Sequence, residues 1–222
     1  MFIFEKKPKS YFAEAYRTLR TNIQYSSYDK KLKTILVTSS DNKEGKSTIC
    51  GNLALSFAQN KRKVLLVDCD LRTPSLHKMF NVSNVYGLTE VLLGTKRIDE
   101  AVKNYNNKID ILPSGTISSD PSELFESDEL IELLEVLKEK YDLIILDSSP
   151  VRVVSDAQIL AAKVDGTILV AKKNKTKLEN IKEAKDLLKR VGANLVGVVL
   201  NYNEKIGRKN KKYYTNKEIA VN

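Results

Sequence analysis

Apolar residues in this chain cluster in short uninterrupted runs, and longer polar stretches with helical spacing separate the runs. "KTILVTS", "KVLLVD", "KIDILPSG", "YDLIILD", "GTILVAKK" and "LVGVVLN" each carry Val, Ile or Leu on successive positions. A strand that is apolar at every position is buried on both faces, as in a parallel sheet covered by helices. Between the runs, helices are predicted from Lys46 to about Gln59, in weaker pieces around 87–103, near 155–162 and near 177–191. "DPSELFESDELIELLEVLKEK" reads as one strong helix, with Asp120 as N-cap, Pro121 at the first helical position and Glu123 placed to cap back. Ahead of the sheet, "SYFAEAYRTLRTNIQY" puts Phe12, Tyr16, Leu19 and Ile23 at helical spacing, with Glu14, Arg17 and Arg20 along another face. The expected fold class is α/β, a doubly wound and mainly parallel sheet with helices on both faces. One domain is expected over residues 1–202, including an N-terminal helix at about 10–26, and a tail over 203–222.

In such sheets ligands bind beyond the carboxyl ends of the strands, so the residues just after each run carry the candidate chemistry. "TSSDNKEGKST" follows the first run and leads into a helix. It reads as a phosphate-binding loop: Asp41, Asn42, Lys43, Glu44, Gly45, Lys46, Ser47 and Thr48 supply curled backbone N–H groups, the Lys46 charge and the Ser47 hydroxyl for magnesium. Ser40 stands where the usual pattern has its first glycine, and Lys43 where a second glycine is frequent. Asp68 and Asp70 end the second run two residues apart, so their side chains point the same way if the strand continues. Asp147 ends another run. Carboxylates beside a phosphate loop are what a magnesium nucleotide needs, which makes a nucleotide and magnesium the expected ligands. Arg72 is read as meeting a phosphate or pinning Asp70. His77, the only histidine, is read as packing.

Composition narrows the partners. At 222 residues, 42% hydrophobic and 29% charged, the chain suits a soluble domain, and no run approaches the roughly 20 apolar residues of a membrane span. With no secretory leader in "MFIFEKKPKS", a cytoplasmic protein is expected. Cys50 and Cys69 lack metal or redox spacing and read as small core residues. The net charge of +9 concentrates in 203–222, where Lys205, Arg208, Lys209, Lys211, Lys212 and Lys217 face Glu204 and Glu218, reading as a mobile basic tail. No recognition-helix pattern or stacking set supports nucleic acid as a partner.

"SSDNKEGKST", "VLLVDCDLRTPSLHKMF" and "LIILDSSP" together resemble the Walker A, A′ and B motifs of bacterial tyrosine kinases of the capsule and exopolysaccharide type. "EAYRTLRTNI", "GLTEVLLG" and "LPSG" extend that resemblance over nearly the whole chain. It implies a P-loop NTPase fold related to the deviant Walker A ATPases. It implies ATP-dependent autophosphorylation of tail tyrosines, here Tyr213 and Tyr214, with Tyr202 a further acceptor, in the control of polysaccharide synthesis or export. In its terms Lys46, Asp68, Asp70 and Asp147 are catalytic, Asp68 accepts the phenol proton, and Ser47, Asp70 and Asp147 hold the metal. Asn201, after the last run, is the candidate adenine contact. Glu14, Arg17 and Arg20 match an E-x-x-R-x-x-R pattern for ring assembly with copies of the chain. The partners implied are a membrane adaptor whose cytoplasmic tail activates the kinase and tyrosine-containing protein substrates, which places the chain at the inner face of the plasma membrane. The rival reading is an ATPase switch of the partitioning type, which usually carries a lysine where this chain has Asp41.

Overall fold

The computed structural model describes residues 2–26 and 32–202. Seven strands form one sheet: β1 (Thr34–Ser39), β2 (Val64–Asp68), β3 (Lys103–Tyr105), β4 (Ile109–Leu112), β5 (Leu143–Asp147), β6 (Gly166–Lys172) and β7 (Leu195–Asn201). Their order is β3-β4-β2-β5-β1-β6-β7. All neighbours pair in parallel except β3 and β4, which are antiparallel. The chain leaves β1, passes over the place later filled by β5 to form β2, and returns, so the topology reverses beside β1. That reversal opens the crevice in which doubly wound sheets hold ligands.

The uninterrupted apolar runs are explained by burial on both faces. Ile35, Val37, Leu66 and Ile145 belong to one core layer, and Leu36, Leu65, Val67 and Leu146 to the other. The first layer lies under α1 (Ile3–Lys6), α2 (Tyr11–Tyr25), α3 (Lys46–Ala58) and α4 (Leu76–Phe80). The second lies under α5 (Leu88–Leu92), α6 (Ile98–Ala101), α7 (Pro121–Glu126), α8 (Asp128–Lys140), α9 (Asp156–Lys163) and α10 (Leu178–Arg190). α3 is buried along almost its whole length, between the sheet and the N-terminal helices.

Four local expectations change. The long helix after Asp120 is two helices, because Ser127 takes an extended backbone (φ −63°, ψ 157°) between α7 and α8. Asp120 Oδ1 does cap the Glu123 N–H at 3.3 Å, but its own N–H goes to Ser118 Oγ at 3.2 Å, leaving Glu123 no donor to cap back onto. The helical pieces around 87–103 end in β3, joined to β4 through Asn106 and Asn107, both at positive φ (52° and 55°). On α2, Ala13 and Ile23 are buried while Phe12 is 56% exposed. The buried stripe runs through Ala13, Tyr16 and Ile23, and Phe12 falls one position to its side.

Candidate active site

The loop from Ser40 to Gly45 carries the chain from the end of β1 into α3. Gly45 is the N-cap of α3 at φ 97°, and no side chain caps the helix. The N–H groups of an uncapped first turn point outward as donors, and the positive end of the helix dipole adds to their pull on an anion. Lys46, Ser47 and Thr48 open that turn. A Cβ on Gly45 would come 2.1 Å from Asn201 Nδ2, so the glycine is required by crowding as well as by its backbone angle. Asn201, at the end of β7, donates from the same Nδ2 to the Glu44 carbonyl at 3.0 Å. The structure therefore places the expected adenine contact against the phosphate loop itself.

The acidic groups converge beside this loop. Asp68 and Asp147 are register partners on adjacent strands β2 and β5, and both are fully buried. β2 stops at Asp68, so the strand geometry that would align Asp68 with Asp70 does not continue. The backbone turns instead, bringing the Asp70 N–H to Asp68 Oδ1 at 3.3 Å. Asp68 Oδ2 accepts the N–H groups of Ser75 and Leu76 at 3.0 and 2.9 Å. Burial, and then the neighbouring Asp147 charge, push its carboxyl up to about 8 despite those hydrogen bonds. Burial also raises Asp147, to about 6, with the Lys46 charge opposing the rise. Asp70 is buried, with Oδ1 accepting from the Thr73 N–H at 3.0 Å and the Thr73 hydroxyl at 3.1 Å. Ser75 Oγ donates to Ser47 Oγ at 2.9 Å, so one residue touches both the candidate base and the candidate metal ligand.

A magnesium ion suits this donor set. Asp147 Oδ2 is buried without a well-formed hydrogen bond, although the Ser47 side chain lies close enough to lower its carboxyl, whereas Oδ1 accepts from the Cys50 thiol at 3.5 Å. A buried carboxylate oxygen with no well-formed hydrogen bond is costly in a closed apolar setting and is satisfied by a cation or its water. Among the described residues, no group of three or more His, Cys, Asp or Glu side chains is arranged to hold a metal alone. Magnesium is typically held by one or two carboxylates completed by phosphate and water, which is what Ser47, Asp70 and Asp147 offer.

Other expected residues fall elsewhere. Arg72 does not hydrogen-bond to Asp70: its Nε and Nη2 bind Asp156 at 2.8 and 3.0 Å, a bidentate pair that fastens the segment after β2 to α9. Burial raises the Asp156 carboxyl, but the Arg72 and Ser122 hydrogen bonds outweigh it and leave it below its usual value. On α2, Glu14 pairs with Arg17 at 2.9 Å, while Arg20 turns away and donates to the Ser56 carbonyl of α3. Tyr202 is 57% exposed under the Lys172 amine, which lies 4.2 Å from its ring centroid. His77 is half-buried, with Nδ1 buried and unpartnered. Tyr213 and Tyr214 lie outside the described residues, as does the whole stretch 203–222.

The comparisons with known proteins agree with this geometry. Residues 32–196 match a family described as an AAA domain. The tyrosine-protein kinase YwqD of Bacillus subtilis is 43% identical over 88% of this chain and 83% of its own length. The chain belongs to the bacterial tyrosine kinases. Among solved structures, the chimerical protein CapA2B2 superposes with a TM-score of 0.87 and 35% identity, covering 90% of this chain and 88% of that one. The kinase domain of the Escherichia coli tyrosine kinase ETK gives 0.88 and 31% over 90% and 79%. The septum site-determining protein MinD of Pyrococcus horikoshii, complexed with Mg-ADP, is less similar at 0.65 and 27% over 78% and 71%. No helix among the described residues of this bacterial tyrosine kinase is long and apolar enough to cross a membrane.

Several residues at the kinase site have no signal in the local sequence. Ser75 on Ser47, Thr176 on Glu44 and Arg152 on Asp41 meet the loop from 28 to 132 positions away. Only the folded sheet brings them there.

Proposed function

We propose that this tyrosine kinase binds ATP and magnesium at the carboxyl ends of β1, β2 and β5 and phosphorylates its own Tyr213 and Tyr214, with Tyr202 a further acceptor. The observation that carries the reading is the buried Asp68–Asp147 pair, in register beside an uncapped helix that begins with Lys46 and Ser47. Lys46 and the first-turn N–H groups hold the β- and γ-phosphates. Ser47, Asp70 and Asp147 hold magnesium, which when bound neutralises charge on the phosphate oxygens. Asp68 takes the phenol proton. Burial and the Asp147 charge raise the Asp68 carboxyl, which narrows the roughly 6-unit gap between an ordinary aspartate and a free tyrosine without closing it. The proton therefore moves late in phosphoryl transfer, at a cost a general base can meet.

Assembly through Glu14, Arg17 and Arg20 into a ring delivers one copy's tail to its neighbour's site, and a membrane adaptor's cytoplasmic tail activates the kinase at the inner face of the membrane. The role in capsular or exopolysaccharide production rests on the family. In the isolated chain Arg17 also donates to the Pro8 carbonyl at 2.6 Å, so substitutions on this helix are scored for folding as well as for assembly.

The decisive experiment incubates the purified protein with ATP and magnesium and maps phosphate by mass spectrometry. Phosphotyrosine in the tail, lost in Asp68→Asn, is the expected result; ATP hydrolysis without phosphotyrosine would instead make the chain a switch of the MinD kind.

A further inference from the structure

The lip of the phosphate loop is held by an ion-pair network that no element of the proposed chemistry uses. Lys43 sits in the left-handed region at φ 62°, a conformation that costs an L-residue energy and persists only where its surroundings enforce it. Neither glycine nor proline occurs between Ser40 and Glu44 to fix the turn locally. The restraint comes from outside the loop. Arg152 Nη1 donates to Asp41 Oδ1 at 2.7 Å, and Asn180 Nδ2 donates to Asp41 Oδ2 at 2.7 Å. Arg152 is itself gripped on its other edge, where Nε donates to Glu183 Oε2 at 2.8 Å. Within the loop, Ser39 Oγ donates to the Asp41 carbonyl at 2.7 Å and the Asp41 N–H reaches Glu44 Oε2 at 3.2 Å, while Glu44 Oε1 accepts from Thr176 Oγ1.

We propose that Arg152 is a positioning residue that preorganises the phosphate loop for nucleotide by tying Asp41 to the segment after Asp147 and to α10. That segment is already joined to β1, since the Ser148 and Val151 N–H groups donate to the Val37 and Ser39 carbonyls at 3.2 and 2.9 Å. Through Arg152, the loop that cradles phosphate and the strand end that carries Asp147 therefore move as one body. The Arg152 side chain is 21% exposed while Asp41 and Glu183 are 39% and 59% exposed, so the charges are partly screened and the tie rests on its several hydrogen bonds as much as on Coulomb attraction. Without the tie, the lip must be ordered by the nucleotide as it binds, and that ordering weakens affinity. The chemical step is left alone, because Arg152 touches neither Asp68 nor Lys46 through any of these contacts.

This inference rests on the phosphate loop being the nucleotide site, and the test separates the two. Mg-ADP affinity is measured by calorimetry, and ATP kinetics by phosphotyrosine formation, for Arg152→Ala, Asp41→Ala, the double variant, Arg152→Lys and Lys46→Ala, each with its unfolding midpoint. Arg152→Ala raises the Mg-ADP Kd and the ATP KM three- to tenfold, with kcat changed less than twofold. Asp41→Ala does the same, the double variant is no worse than either single one, and Arg152→Lys, able to hold one carboxylate at a time, falls between. An unchanged Kd, additive single effects, or a fall in kcat at constant KM overturns the assignment. If Lys46→Ala also leaves Mg-ADP affinity unchanged, the nucleotide site itself is misread; if only Lys46→Ala weakens it, the site stands and Arg152 has no part in it.

Discussion

The two ends of the sheet treat aspartate in opposite ways. At the amino end, Asp165 precedes β6 and its Oδ2 accepts the N–H groups of both Lys33 and Thr34 at 2.8 Å. Burial raises the Asp165 carboxyl, but those hydrogen bonds outweigh it and hold it below its usual value. At the carboxyl end, Asp68 and Asp147 lie side by side, and burial lifts both, to about 8 and about 6. One end uses a carboxylate to satisfy its own backbone. The other packs two acids together and leaves one oxygen without a well-formed hydrogen bond. A fold keeps such an unfavourable pair where a ligand repays the cost, so the contrast singles out the carboxyl end as the candidate site without reference to any motif.

Three experiments would break or sharpen that contrast. The largest effect is expected from Asp68→Asn, which lowers tyrosine phosphorylation by about 10²- to 10⁴-fold while leaving the unfolding midpoint at pH 8 equal or higher, since a buried charge is removed. Phosphorylation assays and thermal melts on one preparation check both halves. Next, Asp165→Ala leaves two strand-end N–H groups without their acceptor and destabilises the fold by about 2 kcal/mol in denaturant titration, with activity per folded molecule unchanged. The smallest effect is in the pH dependence of stability without nucleotide. Asp165 and Asp156, depressed in the fold, contribute stability that is present above about pH 4 and lost as pH falls below it. Asp68 and Asp147 are raised from 3.8, so the native state binds more protons than the unfolded one, and their contribution declines as pH climbs from about 4 to about 8. Denaturation midpoints taken across that range should fall, and Asp147→Asn should flatten the slope; a midpoint that rises steadily to pH 8 would show that the acids are not buried as a pair.

Much of the sheet was legible because a strand with both faces covered has no polar positions to blur it. Six of the seven strands lie within the apolar runs, and β3 was missed because three residues, "KNY", are too few to carry a period. The Asn106–Asn107 pair after it was the available sign, a turn whose residues tolerate positive φ. The N-terminal α1 was missed for a related reason. Phe2 is buried by stacking on Phe80, 4.2 Å between ring centroids, and by the space that Gly51 leaves on α3, and neither partner is near it in sequence. The break at Ser127 was hidden because good helix formers continue on both sides of it.

At the candidate site, Lys46, Ser47, Asp68 and Asp147 were readable from their places at strand ends. What they are attached to was not. Arg72 is drawn from Asp70 to Asp156 because Asp156, held also by Ser122, presents both carboxylate oxygens in one plane to a guanidinium. Such a choice depends on where α9 returns to the sheet, and no local pattern encodes it.

Cys50 sits on the second turn of the phosphate-loop helix, fully buried, with its sulfur against Asp147. Burial and that carboxylate push its thiol well above the usual range, so it stays protonated and inert while the helix is seated. An alkylating reagent reaches it only during excursions that lift α3 from the strands. The rate of its labelling is therefore a built-in clock for the opening of the active centre, and a ligand that locks the centre shut makes that clock run slow.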